Sequence, residues 1–155
     1  MNLGTPFITR AANLADLPSI LTIERASPAA AHWNEAEHRE AIASPDRLVL
    51  VAQGPSGIAG FLVAFTAIAE WELENIAVHP GSREQGIGRV LMTALIEAAK
   101  AAGATEIRQE IRASNLPAQR LAQSCGFVQE GKRAAYYREP VEEAILFKFI
   151  MVRAS

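Results

Sequence analysis

The chain is 155 residues long and 50% hydrophobic, enough for one globular domain over residues 1–155 that buries roughly 68–70% of its unfolded surface. With 15 Lys and Arg against 17 Asp and Glu, the formal charge is -2 and no basic block occurs, which excludes the electrostatic footprint of a nucleic-acid binder. The longest mostly apolar run, Ile58 to Ile68, is far short of a membrane span, and "MNLGTPFITRA" lacks the basic start and apolar core of a secretory signal, so a cytoplasmic protein with no membrane partner is expected.

In chain order, "FITRAA" reads as a first strand. Asp16 followed by Pro18 opens a helix with Leu17, Ile20, Leu21 and Glu24 at helical spacing. "WNEAEHREAI" is a short second helix. "RLVLVAQ" and "IAGFLVAFTAI" are apolar strand runs joined by the turn signal "GPSG", so an antiparallel hairpin is expected. "EWELENIAV" alternates as a fourth strand, with Glu70, Glu72, Glu74, Ile76 and Val78 on one face and Trp71, Leu73, Asn75 and Ala77 on the other.

Beyond "HPGSREQGIG", the spacing of Ile87, Val90, Leu91, Ala94, Leu95 and Ala98 predicts a helix that stops at Gly103. "ATEIRQEIRA" returns to alternation, placing Ile107, Gln109 and Ile111 opposite Arg108, Glu110 and Arg112. Asn115 and Pro117 start another helix that stops at Gly126, and "FVQEGKRAAYY" and "EEAILFKFIM" are two closing strands. The order β-α-α-β-β-β-α-β-α-β-β, with no repeat or linker, predicts an α/β (α+β) chain. Cys125 is the only cysteine, which excludes an internal disulfide and a cysteine zinc cluster; its apolar context suits a small buried residue. His32, His38 and His79 lack metal-ligand spacing, so no metal is expected and they read as structural or surface residues.

The stretch "REQGIG" lies between a strand and a helix. The first N–H groups of a helix have no intrahelical partner and the helix dipole attracts anions. Glycine there lets an anion approach the backbone closely. Gly86 and Gly88 therefore suit either a diphosphate cradle or a plain strand-to-helix turn. A Walker motif is excluded because no Gly-Lys-Ser/Thr follows, and a dinucleotide fingerprint because Leu91 stands where its third glycine belongs.

The segment "NIAVHPGSREQGIGRVLMTALIEAAKAAGATEIRQEIRASNLPAQRLAQSCGF" resembles the acetyl-CoA-binding core of the GNAT superfamily of N-acyltransferases. The superfamily's pyrophosphate loop reads Arg/Gln-x-x-Gly-x-Gly/Ala, matched by Arg83, Gly86 and Gly88. "EIRASN" together with "AAYY" and "EEAILF" is similar to the ribosomal-protein-alanine N-acetyltransferases, the RimI type. The resemblance implies a mixed central sheet of about seven strands flanked by about four helices, splayed between strands 4 and 5. It implies acetyl-CoA as cofactor, held by the backbone of Ile76, Ala77 and Val78, by the loop Arg83, Glu84, Gln85, Gly86, Ile87, Gly88 and Arg89, and by Asn115. It also implies Glu110 as general base and a peptide or protein N-terminus, such as that of a ribosomal protein, as acceptor.

One position departs from that pattern. Where those relatives carry a tyrosine as general acid toward the leaving thiolate, this chain has Ala122. Three readings follow: a water, Tyr136 or Tyr137 supplies the proton; the thiolate leaves unassisted; or the chain binds acetyl-CoA without turning it over. Glu110 also reads as a surface charge pair with Arg108 and Arg112. Glu70, Glu72 and Glu74, with Glu35, Glu37 and Glu40 near Trp33, form either an acidic rim that draws a basic peptide, with Trp33, Glu72 and Glu74 as its contacts, or an ordinary solvated surface. A small amine or amino acid is the competing acceptor.

Overall fold

The structure is a computed structural model that describes residues 6–137 and 141–152. Seven strands form one sheet: β1 (Ile8–Ala11), β2 (Arg47–Gly54), β3 (Gly57–Phe65), β4 (Glu70–Val78), β5 (Glu106–Arg112), β6 (Val128–Tyr137) and β7 (Glu142–Ile150). Four helices flank it: α1 (Leu17–Arg25), α2 (Glu35–Ala43), α3 (Ile87–Ala101) and α4 (Leu116–Ser124). The strand order is β1-β2-β3-β4-β5-β7-β6. Each neighbouring pair is antiparallel except β4 and β5, which run parallel with α3 as their crossover.

The sheet separates two cores. On one face Ile87, Leu91, Met92 and Leu95 of α3 and Ala122 of α4 pack against Leu62, Leu73, Ile107, Ile111 and Phe147. On the other, Ile20 and Ile23 of α1 and Ala41 of α2 pack against Val49, Val51, Phe61 and Val63. The helix ends follow their capping chemistry. Asn115 accepts the Ala118 N–H at the start of α4, and Gly103 and Gly126, at φ +78° and +97°, end α3 and α4 in the left-handed region. At the first helix, Asn13 caps a short 3-10 turn over 14–16, and Asp16 is not the side-chain cap expected of it. The Arg10 guanidinium takes both Asp16 oxygens at 2.7 and 2.8 Å, a stronger demand than a cap makes.

β4 departs from strict alternation. Val63 of β3 faces Asn75 and Ala64 faces Leu73, so Glu74 is an extra, bulged residue. Trp71 and Leu73 enter the α3–α4 core, whereas Ala77 enters the opposite core and Ile76 and Val78 turn toward α3. The expectation that Glu70, Glu72, Glu74, Ile76 and Val78 share one face is therefore corrected: one inserted residue reverses every side chain beyond it. The parallel pairing stops at the same level, running from Glu70↔Glu106 to Leu73↔Gln109 and no further. Residues 74–78 of β4 thus splay from β5.

Asn75, redirected by the bulge, joins a buried polar cluster. Glu24 Oε1 accepts from Asn75 Nδ2 at 2.7 Å, from the Trp33 N–H at 3.1 Å and from His38 Nε2 at 2.8 Å, while Asn75 Oδ1 accepts the Ala31 N–H. One carboxylate so ties α1, α2, β4 and the 26–34 loop together. Burial alone pushes the Glu24 carboxyl up, but the bonds from His38, Asn75 and the Trp33 N–H outweigh it and hold the group below its ordinary range. A carboxyl lowered in this way adds stability that is present above its unfolded value of about 4.5 and lost as pH falls through the folded value. Glu24→Gln should therefore cost about 2–4 kcal/mol at pH 7. In urea melts the gap to the unmodified chain should close as pH falls below about 4.5; an equal gap at both pH values would show that the charge is not what stabilises the cluster.

Candidate active site

Glu110 is the first β5 residue beyond the β4–β5 pairing. The expected alternative, a pair with Arg108 and Arg112, is not what the structure shows. Arg108 holds Glu106 at 2.7 Å and Arg112 lies 3.6 Å from Glu142. The Glu110 carboxylate is instead met by Arg133 of β6 at 3.2 Å, a residue that periodicity did not single out. The β6–β7 register slips between Arg133 and Tyr137, and no sequence spacing reveals such a slip.

The two tyrosines take different places. The Tyr136 hydroxyl is raised, first by hydrogen bonding to the Glu110 carboxylate, then by burial and by the charge of Glu110. Tyr137 donates its hydroxyl to the Glu110 backbone carbonyl at 3.0 Å. Burial first, then the charges of Glu110 and Tyr136, push Tyr137 up to about 12, against the Arg112 guanidinium 4.4 Å over its ring. Such a phenol gives its proton reluctantly to a thiolate whose thiol titrates near about 8.5. Ala122 is fully buried and offers no polar atom, and a tyrosine in its place would overpack the core.

Glu72 shares the open face with Glu110. Its carboxyl is raised by burial first and then by the charges of Glu110 and Glu74, with Arg108 and Arg133 opposing. The acidic rim is partly neutralised, since Arg47 holds both Glu74 oxygens at 2.8 and 3.2 Å and Arg39 lies 3.3 Å from Glu35. Trp33, Glu37, Glu40, Ala41 and Arg47 line a cavity of about 130 Å³ beside that bulge. A larger cavity of about 430 Å³, lined by residues including Leu14, Leu21, Arg25, Glu35 and Arg39, takes in Glu35 of that rim but not Glu110, the tyrosines or the glycine loop.

On the opposite side of the splay, α3 begins without a side-chain cap, behind Gly86 at φ +78°. A Cβ on Gly86 would meet no atom within 4 Å, whereas one on Gly88 would come within 3.0 Å of Leu121 on α4. The two glycines are thus not equivalent: Gly86 fronts open space, and Gly88 admits close approach of two helices. Ile87 sinks its side chain into the core and has only its N–H to offer, while Arg83, Glu84, Gln85 and Arg89 are exposed. Glu84 is also held at φ +64°. Asn115 spends its Oδ1 on the Ala118 cap, which leaves Nδ2 for any ligand. An uncapped helix start with room in front of it fits a diphosphate, and the splayed edge of β4 at Ile76–Val78 fits a chain of amides.

These features coincide with a known family. The acetyltransferase (GNAT) family profile matches residues 17–127. The chain belongs to the GNAT family. It is an N-acetyltransferase by that membership, and enzymes of the family use acetyl-CoA. A Bacillus subtilis (strain 168) protein, provisionally named ribosomal protein bS18-alanine N-acetyltransferase, is 28% identical over 92% of this chain and 94% of its own. The crystal structure of the ribosomal-protein-S18-alanine N-acetyltransferase from Escherichia coli superposes with a TM-score of 0.84 at 28% identity, covering 96% of both chains. A provisional acetyltransferase from Salmonella typhimurium, solved with its cofactor acetyl-CoA, shares the fold at a TM-score of 0.81 and 19% identity, over 97% of both chains. Among the described residues no helix is long and apolar enough to cross a membrane.

If Gly86 fronts the diphosphate, Gly86→Asp should abolish coenzyme A binding in calorimetry. Its carboxylate would fill the open space with the wrong charge, while aspartate tolerates the positive φ well enough to keep the fold. Unchanged affinity in a folded variant would place the diphosphate elsewhere.

Proposed function

We propose that this GNAT enzyme moves the acetyl group of acetyl-CoA to the α-amine of a protein or peptide N-terminus, of the ribosomal-protein-alanine kind. The observation that carries the reading is the placing of Glu110 at the level where β4 and β5 part, with its carboxylate on the open face. Support for the peptide acceptor comes from the names of the relatives and from the exposure of that face, where Glu72 and Tyr136 reach solvent.

Acetyl-CoA supplies an activated acyl carbon with a thiolate leaving group. Ile76, Ala77 and Val78 hold it by backbone along the splayed edge, the loop of Arg83, Glu84, Gln85, Gly86, Ile87, Gly88 and Arg89 holds its diphosphate, and Asn115 Nδ2 adds a donor. Glu110 receives the acceptor as an ammonium that displaces Arg133, then takes its proton. An α-amine with a reference pKa of about 7.7–8.0 is roughly a quarter neutral near pH 7.4, whereas a lysine near 10.4 is only about 0.1% neutral. Tyr136, with its hydroxyl toward Glu110, orients that carboxylate; Tyr137 fixes the backbone behind it. Trp33, Glu72 and Glu74 border the acceptor.

Mass spectrometry of a mixed panel of peptide N-termini, lysine side chains and small amines should show transfer to N-termini first. Transfer confined to small amines would overturn the peptide acceptor, and no transfer to any would leave an acetyl-CoA-binding module. Glu110→Gln should lower kcat about 10²–10⁴-fold with coenzyme A affinity unchanged; a loss under threefold would remove Glu110 from the reaction.

A further inference from the structure

Gln109 breaks the pattern of its own strand. Its neighbours on the same face, Ile107 and Ile111, are sealed in the α3–α4 core, and alternation asks for a third apolar residue between them. A carboxamide stands there instead. Its register partners, Leu73 of β4 and Phe147 of β7, both belong to that core. Gln109 is 7% exposed, its Oε1 is buried with no hydrogen-bond partner, and its Nε2 donates to no group of the described residues. The fold thus holds neither end of the amide, and rotation about its last side-chain bond can present the N–H in place of the oxygen. Burying an amide unpaired is costly, and such a group in a folded chain calls for a reason.

Its place in the sheet supplies one. Gln109 and Leu73 form the last β4–β5 pair, so the carboxamide stands at the apex of the splay, one residue before Glu110. Successive strand residues project to opposite faces, which puts Glu110 on the open face and Gln109 on the face of α3 and α4. An amine approaches a thioester carbonyl together with its base, and the sulfur departs away from it. Acetyl transfer at this apex is therefore served by one polar group on each face, although thiolate can also leave unassisted. Ala122 of α4, fully buried, has no polar side-chain atom to give.

We propose that Gln109 is a catalytic residue whose amide N–H donates a hydrogen bond to the thioester sulfur. The inference rests on the acetyl-CoA reading of the splay. In the step, the amine nitrogen bonds the acetyl carbon, its proton passes to Glu110, and the electron pair of the broken C–S bond stays on sulfur facing the Gln109 N–H. No proton leaves Gln109. A neutral donor suffices because a thiol pKa of about 8.5 makes thiolate a tolerable leaving group. The unpaired amide is then a weakness of the free fold kept at a working position.

Gln109→Leu, and Gln109→Met of equal length, test this by thermal melting, turnover and coenzyme A calorimetry at pH 6.5 and pH 9.5. Both variants should melt a few degrees higher, because an unpaired amide has been replaced by an apolar group. Their kcat should fall about 10–100-fold with acceptor KM unchanged, the expected loss of one hydrogen bond to a charged group. The unmodified chain's advantage in coenzyme A affinity should be slight at pH 6.5, where coenzyme A is a thiol, and about tenfold larger at pH 9.5, where it is a thiolate. Stabilised variants with unchanged turnover and an unchanged pH dependence of affinity would overturn the proposal. So would a fall in melting temperature in both, which would mean that the amide is paired within the fold. An unmodified chain that binds no coenzyme A at either pH would overturn the acetyl-CoA reading itself, and this inference with it.

Discussion

The site depends on a parallel strand pair that stops after four residue pairs. β4 and β5 hold together from Glu70↔Glu106 to Leu73↔Gln109, and the extra residue Glu74 ends the match by bending β4 and reversing its faces. Had the pairing run on, the backbone of Ile76 to Val78 would be spent on β5. Because it stops, that edge is not spent on β5, and it is the edge that the proposed function gives to acetyl-CoA. The bulge is also held in place. Arg47 grips Glu74 on one side of it, and Glu24 grips Asn75 on the other.

Charge on the open face is organised by crossed pairings. Glu106 is lowered chiefly by its bond from Arg108 and further by Lys148, and Glu142 is lowered by the Ser114 N–H and hydroxyl. Those carboxylates are committed. Glu72 moves the other way, raised by burial and by neighbouring carboxylates. Among the described residues the face thus grades from paired acids at its edge to acids with competing claims around Glu110. An approaching ammonium gains most where the carboxylate's present partner is easiest to replace. Arg133, more than half of whose side chain is exposed, is such a partner.

Much of the fold was legible from periodicity, because each element carries its own period and its own stop. "EWELENIAV" is β4 to the residue, and Gly103 and Gly126 end the helices they were expected to end. Relations between elements were less legible. The insertion of β7 between β5 and β6 depends on which edges remain open after the parallel pair forms, and no local pattern encodes it. The Glu74 bulge leaves an unbroken alternation of residue types in the sequence, so its reversal of faces was invisible. In the candidate site, Glu110 and the two tyrosines are candidates that the resemblance supplies, whereas Arg133 and Arg47 reach their carboxylates from strands distant in sequence and no spacing points to them.

The buried polar atoms without partners sharpen the same division. Among the side chains of the described residues they are Glu24 Oε2, His38 Nδ1 and Gln109 Oε1. Two of them belong to one cluster, where the second oxygen of a carboxylate and the far nitrogen of a ring are what remains after Oε1 and Nε2 have been used to join α1, α2 and β4. Their exposure to an apolar environment is the residual cost of three good bonds to one atom. Gln109 has no such bonds at its other end to offset its cost, and it lies where the sheet opens. The same observation, a buried atom without a partner, thus reads as a by-product of cohesion in one place and as an unspent capacity in the other. Strand pairing separates the two cases, because Gln109 stands at the last pair of the β4–β5 ladder whereas Glu24 and His38 lie among the bonds that join α1, α2 and β4.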